Sequence, residues 1–104
     1  MMSNSQCKWQ ILQNDIGEFT DKTFGKSTTA SKMAHLKQEA DEVVADPQDI
    51  LEWADCMILL FDAARREGFS TDELYHGMQK KLGINKKRKW GQAGTDGVVR
   101  HVEK

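Results

Sequence analysis

Residues 35–62 read HLKQEADEVVADPQDILEWADCMILLFD, and the interpretation of the whole chain starts from them. Two acidic pairs, each with members three residues apart, flank a short break at Asp46-Pro47. Residues three apart lie on one side of an α-helix, so each pair presents two carboxylates on one face. The stretch therefore predicts two helices joined by a turn, with four candidate site residues: Glu39, Glu42, Glu52 and Asp55.

The two acidic pairs lie at matching heights if the break reverses the chain. Glu42 and Glu52 then lie four residues before and six residues after Asp46, and Glu39 and Asp55 lie seven before and nine after. At about 1.5 Å of rise per residue, the facing acids differ in height by only ~3 Å. Glu42 is therefore predicted to face Glu52, and Glu39 to face Asp55.

Four carboxylates drawn together in a mostly apolar bundle repel one another and lose hydration. Such a cluster requires a strong positive partner, and hard divalent cations with oxygen ligands are the best candidates, Mg²⁺ first. The alternative is that the acids are solvated charges on helix faces, as most Glu and Asp residues are.

The length and composition indicate a small helical domain. A chain of 104 residues suits a single domain, predicted to span residues 1–104 with 1–8 and about 91–104 loosely ordered. One proline and an aromatic content of 8% favour helices over a sheet. We therefore expect an all-α protein with a four-helix-type bundle. Because so short a chain buries a modest core, association between copies is also expected.

The charge balance argues against stable binding to nucleic acid. The net charge is −1, from 15 basic and 16 acidic residues, so the chain lacks the overall positive charge of such binders. The charges are nevertheless segregated, with acids gathered at 39–55 and bases at 80–89. One region is suited to cations and the other to an anion.

The cysteines and the apolar runs predict a cytoplasmic protein that binds no membrane. Cys7 and Cys56 are the only cysteines and form no metal-binding spacing such as C-x-x-C. The N-terminus lacks the apolar core of a signal peptide. The longest apolar run, 56–61, is far too short to cross a bilayer.

Apolar spacing and capping residues predict four helices: about 9–19, about 31–45, about 47–67, and one that opens at about 70. The third is predicted to have Asp46 as its cap, Pro47 at its first position and Gly68 as its stop. Ser70 and Glu73 form the S-x-x-E pattern of a capping box. The polar segment 20–29 is predicted to be a loop, with Phe24 packed on the bundle.

The third helix is apolar over most of its circumference, which is typical of a central helix packed on several sides. In a 104-residue monomer there is little else to surround it, so part of its surface is predicted to meet another subunit in a dimer or tetramer. Asp62, farther along the same helix, is predicted to pair with Arg65 or Arg66, or else to extend the acidic stripe.

A row of polar donors is predicted near the end of the fourth helix. Lys81, Asn85 and Arg88 recur at four- and three-residue spacing if that helix continues through Gly83. A basic helix end is often only a solvated face. Opposite a metal-loaded acidic cluster, it is also where a polyphosphate would be held.

The ordered set of motifs resembles the MazG-like, all-α nucleoside triphosphate pyrophosphohydrolases. Over about residues 20–104 it is similar to the small dATP/dGTP diphosphohydrolase branch of phages and bacteria, through Thr23-Phe24-Gly25, His35-Leu36, Glu39-x-x-Glu42, Asp46-Pro47-x-Asp49, Glu52-Trp53-x-Asp55, Arg66-x-Gly68 and Asn85-x-x-Arg88-x-Trp90-Gly91. Two features differ from the wider family: Gln38 stands where an additional acid is common, and the spacer between Glu42 and Asp55 is short.

The resemblance implies Mg²⁺-dependent hydrolysis of a nucleoside triphosphate to the monophosphate and pyrophosphate, with Mn²⁺ as a substitute metal. It implies that Glu39, Glu42, Glu52 and Asp55 are metal ligands and catalytic residues, and that Lys81, Asn85 and Arg88 bind substrate. One carboxylate not fully committed to metal could accept a proton from the attacking water. Trp9, Trp53 and Trp90 are the candidates for stacking on the base.

Two other classes of function remain open from the residues alone. One is a non-catalytic helical module that binds a nucleotide or a partner protein through the same pocket. The other is a structural helical oligomer whose acids face solvent. A ferritin-like di-iron site is disfavoured because the predicted helices contain no E-x-x-H.

Overall fold

The computed structural model describes residues 4–102. The elements follow in the order α1 (Asn4–Phe24), α2 (Thr29–Ala45), α3 (Ile50–Arg66), α4 (Thr71–Lys87), β1 (Lys89–Ala93) and β2 (Val99–Val102). The chain forms two compact units, Met1–Leu74 and Tyr75–Lys104. The predicted all-α architecture with four helices is confirmed, and a short β-hairpin is added to it.

Helices α2 and α3 form a hairpin and pack along each other, and α1 packs on α3. The turn differs in detail from the prediction. Asp46 ends α2, since its backbone N–H donates to Glu42 O over 3.0 Å. The cap of α3 is Asp49, whose side chain accepts from Leu51 N over 3.0 Å. The prediction that Asp46 caps the third helix is therefore wrong, because Asp46 still belongs to the hydrogen bonding of α2.

Local signals set the boundary between α3 and α4 as the sequence predicted. Gly68 has φ +92°, a backbone conformation that glycine adopts easily, and it ends α3. The capping box before α4 forms in both directions: Ser70 N donates to Glu73 Oε1 over 2.9 Å, and Glu73 N donates to Ser70 Oγ over 3.1 Å.

Helix α1 is longer than predicted at both ends. It already includes the described residues of the expected lead-in and continues into the expected loop as far as Phe24, stopping where Gly25 takes φ +71°. Its buried residue Gln13, 1% exposed, donates to Phe61 O and Phe69 O at 3.1 Å each. The amide of Gln13 thus ties α1 to the end of α3 through main-chain oxygens.

The C-terminal unit contains a hairpin where irregular structure was predicted. Lys89 pairs with Val102 and Trp90 with His101, and the register shifts before Ala93 pairs with Val99. Gly97, at φ +79°, provides the turn between the strands. The glycines therefore permit a tight turn between two β-forming segments, rather than marking a loose tail. Residues 103–104 lie outside the described range.

The first unit buries little apolar surface of its own. Among the described residues, the buried apolar side chains are Ile16 and Ala63, which are 8% and 4% exposed. Along α3, Leu59 and Phe61 are half-buried, whereas six other large apolar side chains are between 40% and 73% exposed: Ile50, Leu51, Trp53, Met57, Ile58 and Leu60. The described residues of one chain therefore do not surround α3 on all sides, as the prediction of a central helix required. None of the described helices is long and apolar enough to cross a membrane.

Candidate metal centre and adjoining cavity

Three of the four predicted acids meet between α2 and α3. Glu39, Glu52 and Asp55 each present a carboxylate oxygen, and these oxygens lie within 4.8 Å of one another. Glu39 and Glu52 are half-buried and Asp55 is exposed. Glu42 is exposed on α2 and does not belong to this group of three. The antiparallel hairpin thus brings acids from both motifs together, as their spacing predicted.

The pKa of Glu52 is raised above its ordinary value in this arrangement. Partial desolvation raises the pKa, and repulsion from neighbouring carboxylates raises it further, with Glu42 contributing more than Asp49, Asp55 or Glu39. Glu42 therefore acts on the cluster through its charge although it lies outside the group of three. Oxygen ligands in this arrangement fit a hard divalent cation, whose charge would remove the repulsion.

His35 lies beside the cluster on α2. Its Nε2 is 3.3 Å from Glu39 Oε2, one helical turn farther along. The histidine approaches Glu39 at ion-pair distance and is not part of the group of three acids. The ring can hold the Glu39 carboxylate in one orientation.

A cavity of about 640 Å³ opens next to the acids. Glu39 and Asp55 line it together with residues of α1, α2 and α3. Its apolar wall includes Ile16, Phe19 and Phe24. A concave, mostly apolar site with a few charged groups at one end has the usual character of a small-ligand site.

A buried ion-pair network lies at the far end of the cavity. Asp62, 1% exposed, lies 2.6 Å from Lys32 Nζ and accepts from Arg65 Nε over 2.9 Å. Burial by itself raises the pKa of Asp62, but hydrogen bonds from Lys32, Thr20 and Arg65 outweigh it and hold the pKa below its usual value. Asp62 is therefore a structural anion, and its predicted pairing with Arg65 is confirmed.

The role of Lys32 was missed from the sequence. It is 8% exposed and lines the cavity. The signal was available, because Lys32 lies fourteen residues before Asp46 and Asp62 lies sixteen after it. That is the same two-residue offset that matched the two pairs of acids across the hairpin.

The predicted substrate-binding row lies in the C-terminal unit. Helix α4 continues through Gly83, as the prediction required, and ends at Lys87. Asn85 and Arg88 are half-buried and Lys81 is exposed. Arg88 Nη1 lies 3.4 Å from His101 Nδ1 of β2. The roles assigned to these three residues remain predictions.

The tryptophans proposed to stack on a base have other contacts. Trp9 meets the edge of the Phe61 ring, Trp53 Nε1 donates to Pro47 O over 3.0 Å, and Trp90 Nε1 donates to Asn85 O over 2.9 Å. In the described part of the chain, the aromatic residues that line the cavity are Phe19 and Phe24. Phe24 is 69% exposed, so the prediction that it packs on the bundle is wrong.

Comparison with known proteins identifies a family and relatives to which this chain is similar. The model of the dATP/dGTP pyrophosphohydrolase family matches residues 12–104. The Eaa protein of Salmonella phage P22 is 46% identical over 93 residues, which are 88% of this chain and 29% of that protein. The chain therefore spans less than a third of the length of that relative.

A solved structure has a similar fold. It is the MazG-like pyrophosphohydrolase of cyanophage S-2L, bound to dGDP and three catalytic Mn²⁺ ions per active site. The similarity covers 89% of this chain and 95% of that one, at 29% identity and a TM-score of 0.73.

Proposed function

Because the chain belongs to the dATP/dGTP pyrophosphohydrolase family, we propose that it hydrolyses dATP or dGTP to the monophosphate and pyrophosphate. The resemblance predicted from the sequence motifs is confirmed at the level of the family and of the fold. The observation that carries the proposal for this chain is the convergence of Glu39, Glu52 and Asp55 beside a cavity of about 640 Å³. This arrangement combines a cation site with room for a nucleoside.

We propose that the acidic group holds divalent metal, with Mg²⁺ as the physiological ion and Mn²⁺ as a substitute. The donor set is suitable, because carboxylate oxygens are the preferred ligands of both ions. The Mn²⁺ ions of the related phage enzyme support a divalent metal in general. Metal at this place supplies neutralisation of the phosphate oxygens and acidification of a water molecule.

On this proposal, the four acids have two different roles, metal binding and proton acceptance. Glu39, Glu52 and Asp55 hold the cations, and His35 orients Glu39 through the contact of 3.3 Å. Glu42 was predicted as a fourth ligand, and its exposed carboxylate outside the group of three is the one least committed to metal. It is therefore our candidate to accept the proton of the attacking water, with ligation retained as its alternative role.

We further propose that Lys81, Asn85 and Arg88 bind phosphate oxygens and stabilise charge on the departing pyrophosphate. Hydrolysis breaks the bond between the α-phosphorus and the oxygen that bridges to the β-phosphate, and the negative charge on that oxygen increases as the bond breaks. The positively charged side chains of Lys81 and Arg88 and the amide N–H groups of Asn85 are suited to stabilise this negative charge. Replacing Arg88 by alanine is expected to lower kcat for every triphosphate in a similar way.

The decisive experiment measures pyrophosphate release from the four common dNTPs, with Mg²⁺ and with EDTA. Turnover should require Mg²⁺ and be fastest with the purine nucleotides. Asp55→Asn should reduce the rate of pyrophosphate release by more than roughly 100-fold. Substitution of a residue that only hydrogen-bonds to a metal ligand already costs up to about that factor. Asp41→Asn is the matched control, because Asp41 is an exposed acid on α2 between the two motif positions.

Binding of dNTPs without turnover would replace this proposal by a non-catalytic nucleotide-binding module. If Mg²⁺ also left the melting temperature unchanged, the acids would be simple surface charges, since a ligand that binds only the folded state must raise it. Full activity of Asp55→Asn would remove that residue from the mechanism.

We also propose that the enzyme is a homodimer or homotetramer in the cytoplasm. Support comes from the apolar side of α3, where Ile50 and Leu51 are 73% and 69% exposed in one chain. Burying such side chains against another copy would stabilise the assembly by about 25 cal/mol per Å² of apolar surface. Light scattering on the purified protein measures the mass directly, and Leu51→Glu is expected to lower it towards that of a monomer.

A further inference from the structure

The cavity runs from the acidic group to the buried Lys32–Asp62 pair. Lys32 lies seven residues before Glu39 on α2, and Asp62 lies seven residues after Asp55 on α3. All four residues line the same cavity. At about 1.5 Å per residue, the two ends are separated by ~10 Å along the hairpin, comparable with the length of a nucleoside. A nucleotide with its phosphates at the acids would therefore place its base near Lys32.

Lys32 is held in the cavity by its surroundings. Its Nζ lies 2.6 Å from the Asp62 carboxylate, and Asp62 is itself fixed by Arg65. A lysine that is 8% exposed has lost most of its hydration, so its charge needs such a partner. An ammonium group has three N–H donors, and the ion pair with Asp62 can occupy at most a part of them. Donors therefore remain for an acceptor on a ligand.

Phe19 and Phe24 give the same region an aromatic wall. Their rings meet edge to face at 6.0 Å with an interplanar angle of 90°, so one ring presents its face beside the other's edge. The side chains are 60% and 69% exposed although both line the cavity. A flat heteroaromatic ligand would cover this exposed apolar surface, and stacking of this kind tolerates any base.

We infer that this end of the cavity is the base subsite, and that Lys32 reads a purine by donating to N7 and O6, which favours guanine over adenine. Adenine shares the N7 acceptor but presents an amino donor where guanine has O6. An ammonium group repels that donor and attracts the oxygen. The phenylalanines supply affinity, and Lys32 supplies the choice of base. This assignment rests on the proposed hydrolysis of deoxynucleoside triphosphates.

The test compares kcat/KM for dGTP, dATP and 7-deaza-dGTP, which lacks N7. With the wild-type enzyme, 7-deaza-dGTP should be about tenfold worse than dGTP, as for loss of one bond to a charged donor. In Lys32→Met this penalty should disappear and the preference for dGTP over dATP should fall about tenfold. Lys37→Met is the control, because Lys37 is exposed on α2 and should change neither ratio.

The outcomes separate the base subsite from the activity. Equal kcat/KM for dGTP and 7-deaza-dGTP, together with ordinary turnover, would overturn the role of Lys32 and leave the hydrolase proposal standing. Absence of turnover with every dNTP would overturn both. A Lys32→Met protein that merely melts earlier, with the dGTP:dATP ratio unchanged, would show that Lys32 is structural. The 7-deaza comparison uses the unaltered protein, so poor folding of the variant does not prevent the test.

Discussion

Replacing Gly17 by alanine tests how α1 is held against α3. A Cβ at Gly17 would lie 2.3 Å from Arg65 Nε and 2.5 Å from Arg65 Cδ, so the arginine side chain would have to move. In its present position Arg65 Nε donates to Asp62 over 2.9 Å, and Nη2 lies 3.0 Å from Asp21 Oδ1. The substitution therefore sets the helix-forming preference of alanine against an ion-pair network that joins two helices.

The magnitude follows from these contacts. Alanine inside a helix is about 1 kcal/mol more favourable than glycine. Displacing Arg65 removes a charge-assisted hydrogen bond to the buried Asp62, which contributes about 1.5–3 kcal/mol. It also removes the more exposed pair with Asp21, which contributes about 0.2–1 kcal/mol. Gly17→Ala is therefore expected to lower the free energy of unfolding by about 1–3 kcal/mol.

Urea unfolding at one fixed protein concentration measures this change, because association would otherwise alter the apparent stability. Gly77→Ala is the matched control: Gly77 lies within α4, and a Cβ there meets no atom within 4 Å. That control should gain up to about 1 kcal/mol. In an Arg65→Ala background the obstacle is gone, so Gly17→Ala should also become stabilising. If Gly17→Ala and Gly77→Ala stabilised the protein equally while Arg65 was present, the importance of the Arg65 contacts would be refuted.

Three further substitutions test other parts of the structure. Asp62→Ala leaves the buried charge of Lys32 without its partner and removes one of the two carboxylates that pair with Arg65, so it should lower the free energy of unfolding by about 3–5 kcal/mol in urea. Folding lowers the pKa of Asp62, so its contribution to the free energy of unfolding is present above its ordinary pKa and is lost as the pH falls through its pKa in the folded state. Stability measured against pH in the acid range should show this loss in the wild type but not in Asp62→Ala. Glu52→Gln should raise the melting temperature in EDTA at pH 7, because the raised pKa of Glu52 means that its charge opposes folding. For the same reason, the stability of the wild type in EDTA should rise as the pH falls through that raised pKa. An unchanged or lower melting temperature of Glu52→Gln would contradict this reasoning. Ser70→Ala should cost about 0.5–2 kcal/mol in thermal unfolding, since it removes the acceptor at the start of α4.

Much of the fold could be predicted because its signals are local. Apolar spacing located all four helices, and the capping box at Ser70 and Glu73 forms both of its hydrogen bonds. The stop at Gly68 depends on one backbone conformation that glycine adopts easily. These features need only a few consecutive residues, so no knowledge of the tertiary structure was required.

The C-terminal hairpin shows where local signals can be interpreted in two ways. Glycines break helices, but they also permit the positive φ of a hairpin turn, as at Gly97. The flanking Val98, Val99 and Val102 favour strands. What decides between a loose tail and a hairpin is the pairing of Trp90 with His101, whose rings lie 5.7 Å apart. That contact joins residues eleven positions apart and is not visible in a short window of sequence.

The register of the α2–α3 hairpin connects the proposed metal centre with the proposed base subsite. Lys32–Asp62, Glu39–Asp55 and Glu42–Glu52 are all related by the same two-residue offset about Asp46. The structure shows the first pair in direct contact and brings the acids of the second pair together, so one register explains both ends of the cavity. The Lys32 pair was not predicted from the sequence, although the charge of Lys32 is balanced by Asp62 across the hairpin. A change in the length of the turn would therefore shift the proposed metal ligands and Lys32 at the same time, so that, on this proposal, the geometry of catalysis and that of base specificity depend on the same turn.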